Sequence, residues 1–152
     1  MYHFWWLIHV CGIALWFGGI ATGVLMWPSK KSFVPQERDT VDVRTMVRVI
    51  TRTSHLGAGL TAVGGLLLSL LVQPKSVLGS LWLTTMQGLG VVAFIVSVFV
   101  LTRMGKRLLQ HADHAEMNAA VTHQFRIYYA WLVIVFILLL VSLIMGAFKP
   151  RL

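Results

Sequence analysis

Acidic residues are scarce in this sequence: five of 152 positions, against thirteen Lys and Arg. All five (Glu37, Asp39, Asp42, Asp113 and Glu116) fall between long apolar runs. That leaves no carboxylate pair inside a bilayer, which proton-coupled transport through the spans would want. Cysteine is nearly missing too. Cys11 stands alone, so no internal disulfide can form, and cysteine usage says nothing of the compartment. There is no CxxC pair, no glycine-rich phosphate loop and no serine in the setting of a His/Asp-assisted nucleophile. Charged residues make up 12% of the chain, about half the ~25% of a soluble domain.

What is present is apolar. Hydrophobic residues make up 57%, and the mean hydropathy is +0.78. One domain is the natural count at this length. A bilayer core of ~30 Å needs ~20 apolar residues at ~1.5 Å each. Four runs qualify, at about 4–27, 50–72, 80–102 and 127–148. The first is bracketed by Trp5, Trp6 and Trp27, and the last is entered by Tyr128, Tyr129 and Trp131, as interfacial aromatic belts would be. Residues 1–10 hold no Lys or Arg, so the charged start of a signal peptide is missing and the first run is expected to stay as an uncleaved helix. The fold class expected is an all-α membrane protein, a single four-transmembrane-helix bundle.

The net charge of +8 does not point to nucleic acid, because the basic residues sit between the runs. Ten of them (Lys30, Lys31, Arg38, Arg44, Arg48, Arg52, Arg103, Lys106, Arg107 and Arg126) flank the two long connections. Three (Lys75, Lys149 and Arg151) lie on the other side. That asymmetry puts both long connections in the cytoplasm of a bacterial-type inner membrane and both termini outside. The long connections are expected to continue the helices rather than to coil. Asp39 can cap a helix whose face carries Val41, Met46, Val47 and Ile50, and residues 105–123 read as helical.

Small residues mark where helices can approach. Gly57, Thr61, Gly65 and Ser69 recur every fourth position in the second run, and Gly19 and Gly23 repeat the device in the first. Such a ridge serves helix packing within the chain before it serves a dimer face.

An ionisable side chain inside a span needs a reason. His9 lies about five residues into the first run, and Met86 and Gln87 lie about six into the third, which enters from the same side. The three can share one depth, where a porphyrin or a metal ion could be held between helices. His3 and Cys11 stand near that level as possible copper ligands. The bland alternative is that His9 hydrogen-bonds a carbonyl or a hydroxyl in the bundle. His55 opens the second run on the opposite side, and no span offers a second histidine at its level. His111 and His114 share a helix face near Asp113 and Glu116, but two histidines fall short of a three- or four-ligand zinc site. Arg107 on the same face opposes a cation, so a solvated helix face is the competing reading.

The stretch His9-Val10-Cys11-Gly12-Ile13-Ala14-Leu15-Trp16-Phe17-Gly18-Gly19 and the close Leu143-Ile144-Met145-Gly146-Ala147-Phe148-Lys149-Pro150 resemble the opening and ending of the DUF2269 family of integral membrane proteins. A more distant similarity runs to the CopD copper-resistance domain and to the HemJ protoporphyrinogen oxidases. The resemblance spans nearly the whole chain through short apolar motifs. The DUF2269 likeness implies no particular chemistry. The HemJ likeness implies a haem b ligand at His9, but those proteins also use a lysine early in the third span, where this chain reads Trp82-Leu83-Thr84-Thr85-Met86-Gln87. The CopD likeness implies copper movement, although no Met- or His-rich outer segment accompanies it here.

Three functions are therefore expected to compete. In the first, the chain is a haem- or metal-associated membrane subunit, a redox or metal-handling component and not a stand-alone enzyme. The second is a cofactor-free accessory or scaffold subunit of a larger membrane complex, such as a respiratory one. The third is a copper-transport component. Haem b is the first cofactor expected and copper the second. The expected partners are lipid and other membrane subunits or a second copy.

Overall fold

The computed structural model describes residues 2–26, 37–71, 80–112 and 119–148. Nearly all of these are helical. Helix α1 spans Tyr2–Met26 and α2 spans Glu37–Leu71. Helix α3 (Leu81–Ile95) passes through a π-helical segment (Val96–Leu101) directly into α4 (Thr102–Ala112), and α5 spans Ala119–Phe148. Four stretches are long and apolar enough to cross a membrane: Tyr2–Met26, Thr45–Leu71, Leu81–Gln110 and His123–Ala147. This is a multi-pass membrane protein of four apolar helices, as the hydropathy predicts.

The helices outrun the apolar runs where the sequence turns polar. Helix α2 starts at Glu37 rather than at an Asp39 cap. The expected helix over 105–123 is present as the end of α4 and the start of α5, and residues 113–118 lie outside the described set.

Helices α1 and α2 form an antiparallel pair whose register is set by glycine. Along the seam, His9 meets Gly64, Gly12 meets Thr61, Trp16 meets Gly57, Gly19 meets Thr53 and Gly23 meets Ile50. A Cβ built on Gly12 would lie 2.5 Å from the Thr61 backbone nitrogen, so the two backbones touch there and no larger residue fits. The small-residue ridge thus packs within the chain. The buried face of α2 runs through Val47, Ile50, Ser54, Gly57, Gly64 and Leu68, spaced by alternating threes and fours apart from one full-heptad step. Helix α5 shows the same spacing in Phe125, Tyr128, Leu132, Val135 and Leu139, all buried. Alternating steps of three and four make the seam of left-handed helix packing. Helix α5 lies against α3 and α1, and its Val135 and Leu132 share the core with Trp16 and Ile20 of α1. Large apolar residues such as Leu66, Phe99, Ile137 and Ile144 stay exposed on the outer faces, as lipid contact requires.

Candidate functional site

His9 projects from α1 onto a notch in α2. The notch exists because Gly64 and Gly65 follow each other there. A Cβ on Gly64 would lie 2.8 Å from the His9 backbone nitrogen, and one on Gly65 would lie 2.8 Å from the imidazole Cε1. The half-buried ring thereby meets the second helix with its Cε1–Nδ1 edge. Its Nδ1 lies 2.8 Å from the backbone carbonyl of Thr61. A carbonyl oxygen can only accept, so Nδ1 carries the proton and donates. In the neutral ring the lone pair is then on Nε2, which has no hydrogen-bond partner among the described residues.

The other residues expected near this depth are directed elsewhere. Gln87 Nε2 donates to Ser69 Oγ at 2.8 Å, two turns along α2 from Thr61. Eight residues of helix correspond to roughly 12 Å. Met86 turns to the fourth span: its sulfur would lie 3.0 Å from a Cβ on Gly146, and its carbonyl accepts from Ser142 Oγ at 3.2 Å. Met86 therefore engages α5, whereas His9 and Gln87 both engage α2, His9 at Thr61 and Gly65 and Gln87 at Ser69, one turn beyond Gly65. Cys11 is exposed, and two residues of helix turn it ~200° from His9. His3 is exposed at the end of the helix, edge-on to Tyr2. Among the described residues no group of three or more His, Cys, Asp and Glu could hold a metal ion. His111 belongs to the backbone of α4 but its side chain is outside the described set, and His114 is wholly outside it.

A second polar system was not foreseen as a unit. Trp16 Nε1 donates to Ser97 Oγ at 3.2 Å, buried between α1 and the π segment. Five residues on, the Thr102 hydroxyl meets His55 Nε2 at 3.0 Å, and His55 Nδ1 donates to the Thr51 carbonyl one turn back in its own helix. Both nitrogens of His55 are thus engaged. Because Nδ1 is the donor, the neutral ring accepts from Thr102 at Nε2. The π segment carries Ser97 and runs directly into Thr102, and such bulges are often found at functional positions of a helix. The available signal was a serine and a threonine, Ser97 and Thr102, inside an otherwise apolar run.

Comparison with known proteins returns no match, whether to a family model, to a curated protein or to a solved structure.

Proposed function

We propose that this chain is a small subunit of a bacterial-type inner membrane that binds a haem b or a metal ion through Nε2 of His9, as part of a redox or metal-handling assembly. One observation carries the reading: the Nδ1–H bond from His9 to the Thr61 carbonyl. Ligating histidines characteristically donate the other ring N–H to a carbonyl or a carboxylate, which fixes the tautomer and raises ligand basicity. An imidazole pressed onto the Gly64–Gly65 notch is also held rigidly, so little ordering remains to be done on ligation. Met86 and Gln87 are engaged by α5 and α2, so this chain would supply a single ligand, and further coordination would come from a second copy or another subunit. A haem held there would supply one-electron transfer. The protein's own contribution is the oriented nitrogen and the apolar surroundings.

The proposed orientation has the long basic connections in the cytoplasm and both termini outside. It rests on the ten-to-three distribution of Lys and Arg. His9 would then lie in the outer half of the membrane.

The deciding experiment is the visible spectrum of the detergent-purified chain, oxidised and dithionite-reduced, with metal analysis of the same sample. The expected result is a Soret band or stoichiometric metal that His9→Ala removes while all four spans remain inserted. Undiminished cofactor in His9→Ala would end the assignment. A colourless, metal-free parent from cells replete in both would favour the cofactor-free accessory subunit, in which the His9–Thr61 bond is helix packing alone.

A further inference from the structure

At the basic end of the bundle, α2 and α4 diverge around a cleft of about 190 Å³ that is separate from His9. Arg48 and Arg52 of α2 and Lys106 of α4 line it together with Val47 and Leu109; its wall is mostly apolar, so the three side chains contribute chiefly their stems and their charged ends stand at its mouth. Arg48 and Arg52 are four residues apart and so share a helix face. Like charges at that spacing repel by a few tenths of a kcal/mol, and Lys106 facing them adds to the repulsion. All three are exposed. The back of the cleft is closed by a close approach at Gly105, where a Cβ would lie 3.1 Å from Val47 Cγ1. Thr102 is held in place by His55.

Depth identifies the ligand class. Arg52 lies 19 residues from Leu71 at the far end of α2, or roughly 28 Å of helix, close to the ~30 Å thickness of the hydrocarbon core. The three cations therefore stand at headgroup level. The volume falls below the ~300–1,000 Å³ of an ordinary small-molecule pocket, and suits an anionic headgroup whose chains remain outside on apolar surface. Exposed Leu56, one turn beyond Arg52 toward the membrane centre, offers such surface.

We propose that this cleft binds the phosphate of an anionic phospholipid, with Arg48, Arg52 and Lys106 as the donors. The site is independent of any cofactor at His9. The ligand's chemistry is a phosphate oxyanion, and the lipid is identified by the depth of the cleft. Basic pockets between spans on the cytoplasmic side are a recognised setting for such headgroups.

The test uses the full chain in a mild detergent. Thermal stability and native mass spectra are followed while phosphatidylglycerol, phosphatidylcholine or inorganic phosphate is added. Phosphatidylglycerol should stabilise the chain and be retained on it, and the other two should not. At ~1 kcal/mol per basic residue near the surface, Arg52→Gln or Lys106→Gln alone should weaken lipid retention about fivefold. The triple variant Arg48→Gln/Arg52→Gln/Lys106→Gln should weaken it on the order of a hundredfold. Arg103→Gln/Arg126→Gln, which removes two exposed cations of the same end that do not line the cleft, should retain lipid like the parent. Equal loss in that control would reduce the effect to general surface attraction and overturn the site. Stabilisation by inorganic phosphate matching that by lipid would overturn the lipid assignment. Unchanged retention in both single variants would overturn the donors, whether or not the triple variant folds.

Discussion

The contact between α1 and α2 can be tested by adding one carbon at each of two glycines two residues apart. A Cβ on Gly57 would overlap the backbone nitrogen and Cα of Trp16 and lie 2.8 Å from the Gly12 carbonyl oxygen. Carbon atoms pack best at about 3.5–4.0 Å, so α1 must move by roughly 1 Å. Backbone has no rotamer to escape into, and overpacking of this kind costs about 1–3 kcal/mol. The displaced residue is also the one whose indole donates to Ser97 at 3.2 Å. A 1 Å shift takes that bond past its limit and loses about 0.6 kcal/mol more, the mean for hydrogen bonds between membrane helices. Alanine offsets ~0.5–1 kcal/mol of this through its better helix propensity. The net expectation for Gly57→Ala is about 2 kcal/mol of destabilisation. At Gly59 an added Cβ meets nothing within 4 Å, so Gly59→Ala should be neutral or stabilising by about 0.5 kcal/mol. The gap between the variants, roughly 2.5 kcal/mol, is more than fiftyfold in the unfolding equilibrium, at about 1.4 kcal/mol per factor of ten. Titration from dodecyl maltoside into dodecyl sulfate, read by tryptophan fluorescence and far-ultraviolet circular dichroism, measures both. If Gly57→Ala unfolds at the parent's midpoint, or Gly59→Ala falls with it, the glycine-set register is wrong.

Two further predictions need less development. Trp16→Phe and Ser97→Ala should each destabilise the bundle, and the pair should lose less than the sum by about 0.5–1.5 kcal/mol; a coupling energy of zero in that double-mutant cycle would remove the hydrogen bond from the account. For topology, single cysteines in a Cys11→Ser background should divide cleanly: Ser76→Cys should react with a membrane-impermeant maleimide on intact cells, Ser32→Cys and Ala115→Cys only after permeabilisation, and the reverse pattern would invert the proposed orientation.

The number of apolar helices could be read from the sequence because lipid imposes one requirement on any helix that crosses it, a run of about 20 apolar residues. Which face of each span points inward was legible only where that face differs from lipid. On α2 it does: Gly57 and Thr61 stand out from the leucines around them, and the ridge they form packs inside the chain. On α5 it does not. Leu132, Val135 and Leu139 are buried while Ile134, Ile137 and Leu140 face outward, and no difference in polarity separates the two sets. In water the hydrophobic effect would enforce such a difference, but within a bilayer the inner and outer faces meet equally apolar surroundings. The same reasoning separates what counting residues can give for His9, Met86 and Gln87 from what it cannot. Depth along a helix follows from counting residues, whereas the direction of Met86 toward Gly146, and of Gln87 toward Ser69, depends on helix rotation that depth does not fix.

The two histidines inside the bundle separate on hydrogen-bond accounting. Each gives its Nδ1 proton to a backbone carbonyl, His9 to Thr61 across the interface and His55 to Thr51 in its own helix. They differ at the other nitrogen. For His55 the Thr102 hydroxyl fills Nε2 at 3.0 Å, so ligation there would have to break an existing bond and leave that hydroxyl only its longer contact to the Ser97 carbonyl, at 3.4 Å. For His9 the corresponding position is unfilled among the described residues, so ligation displaces no protein partner. An imidazole used only as packing glue gains stability from each nitrogen it satisfies, and His55 fits that role with both. His9 satisfies one nitrogen within the described residues and is held against two consecutive glycines, and it is this difference from His55 that makes His9 the histidine to mutate first.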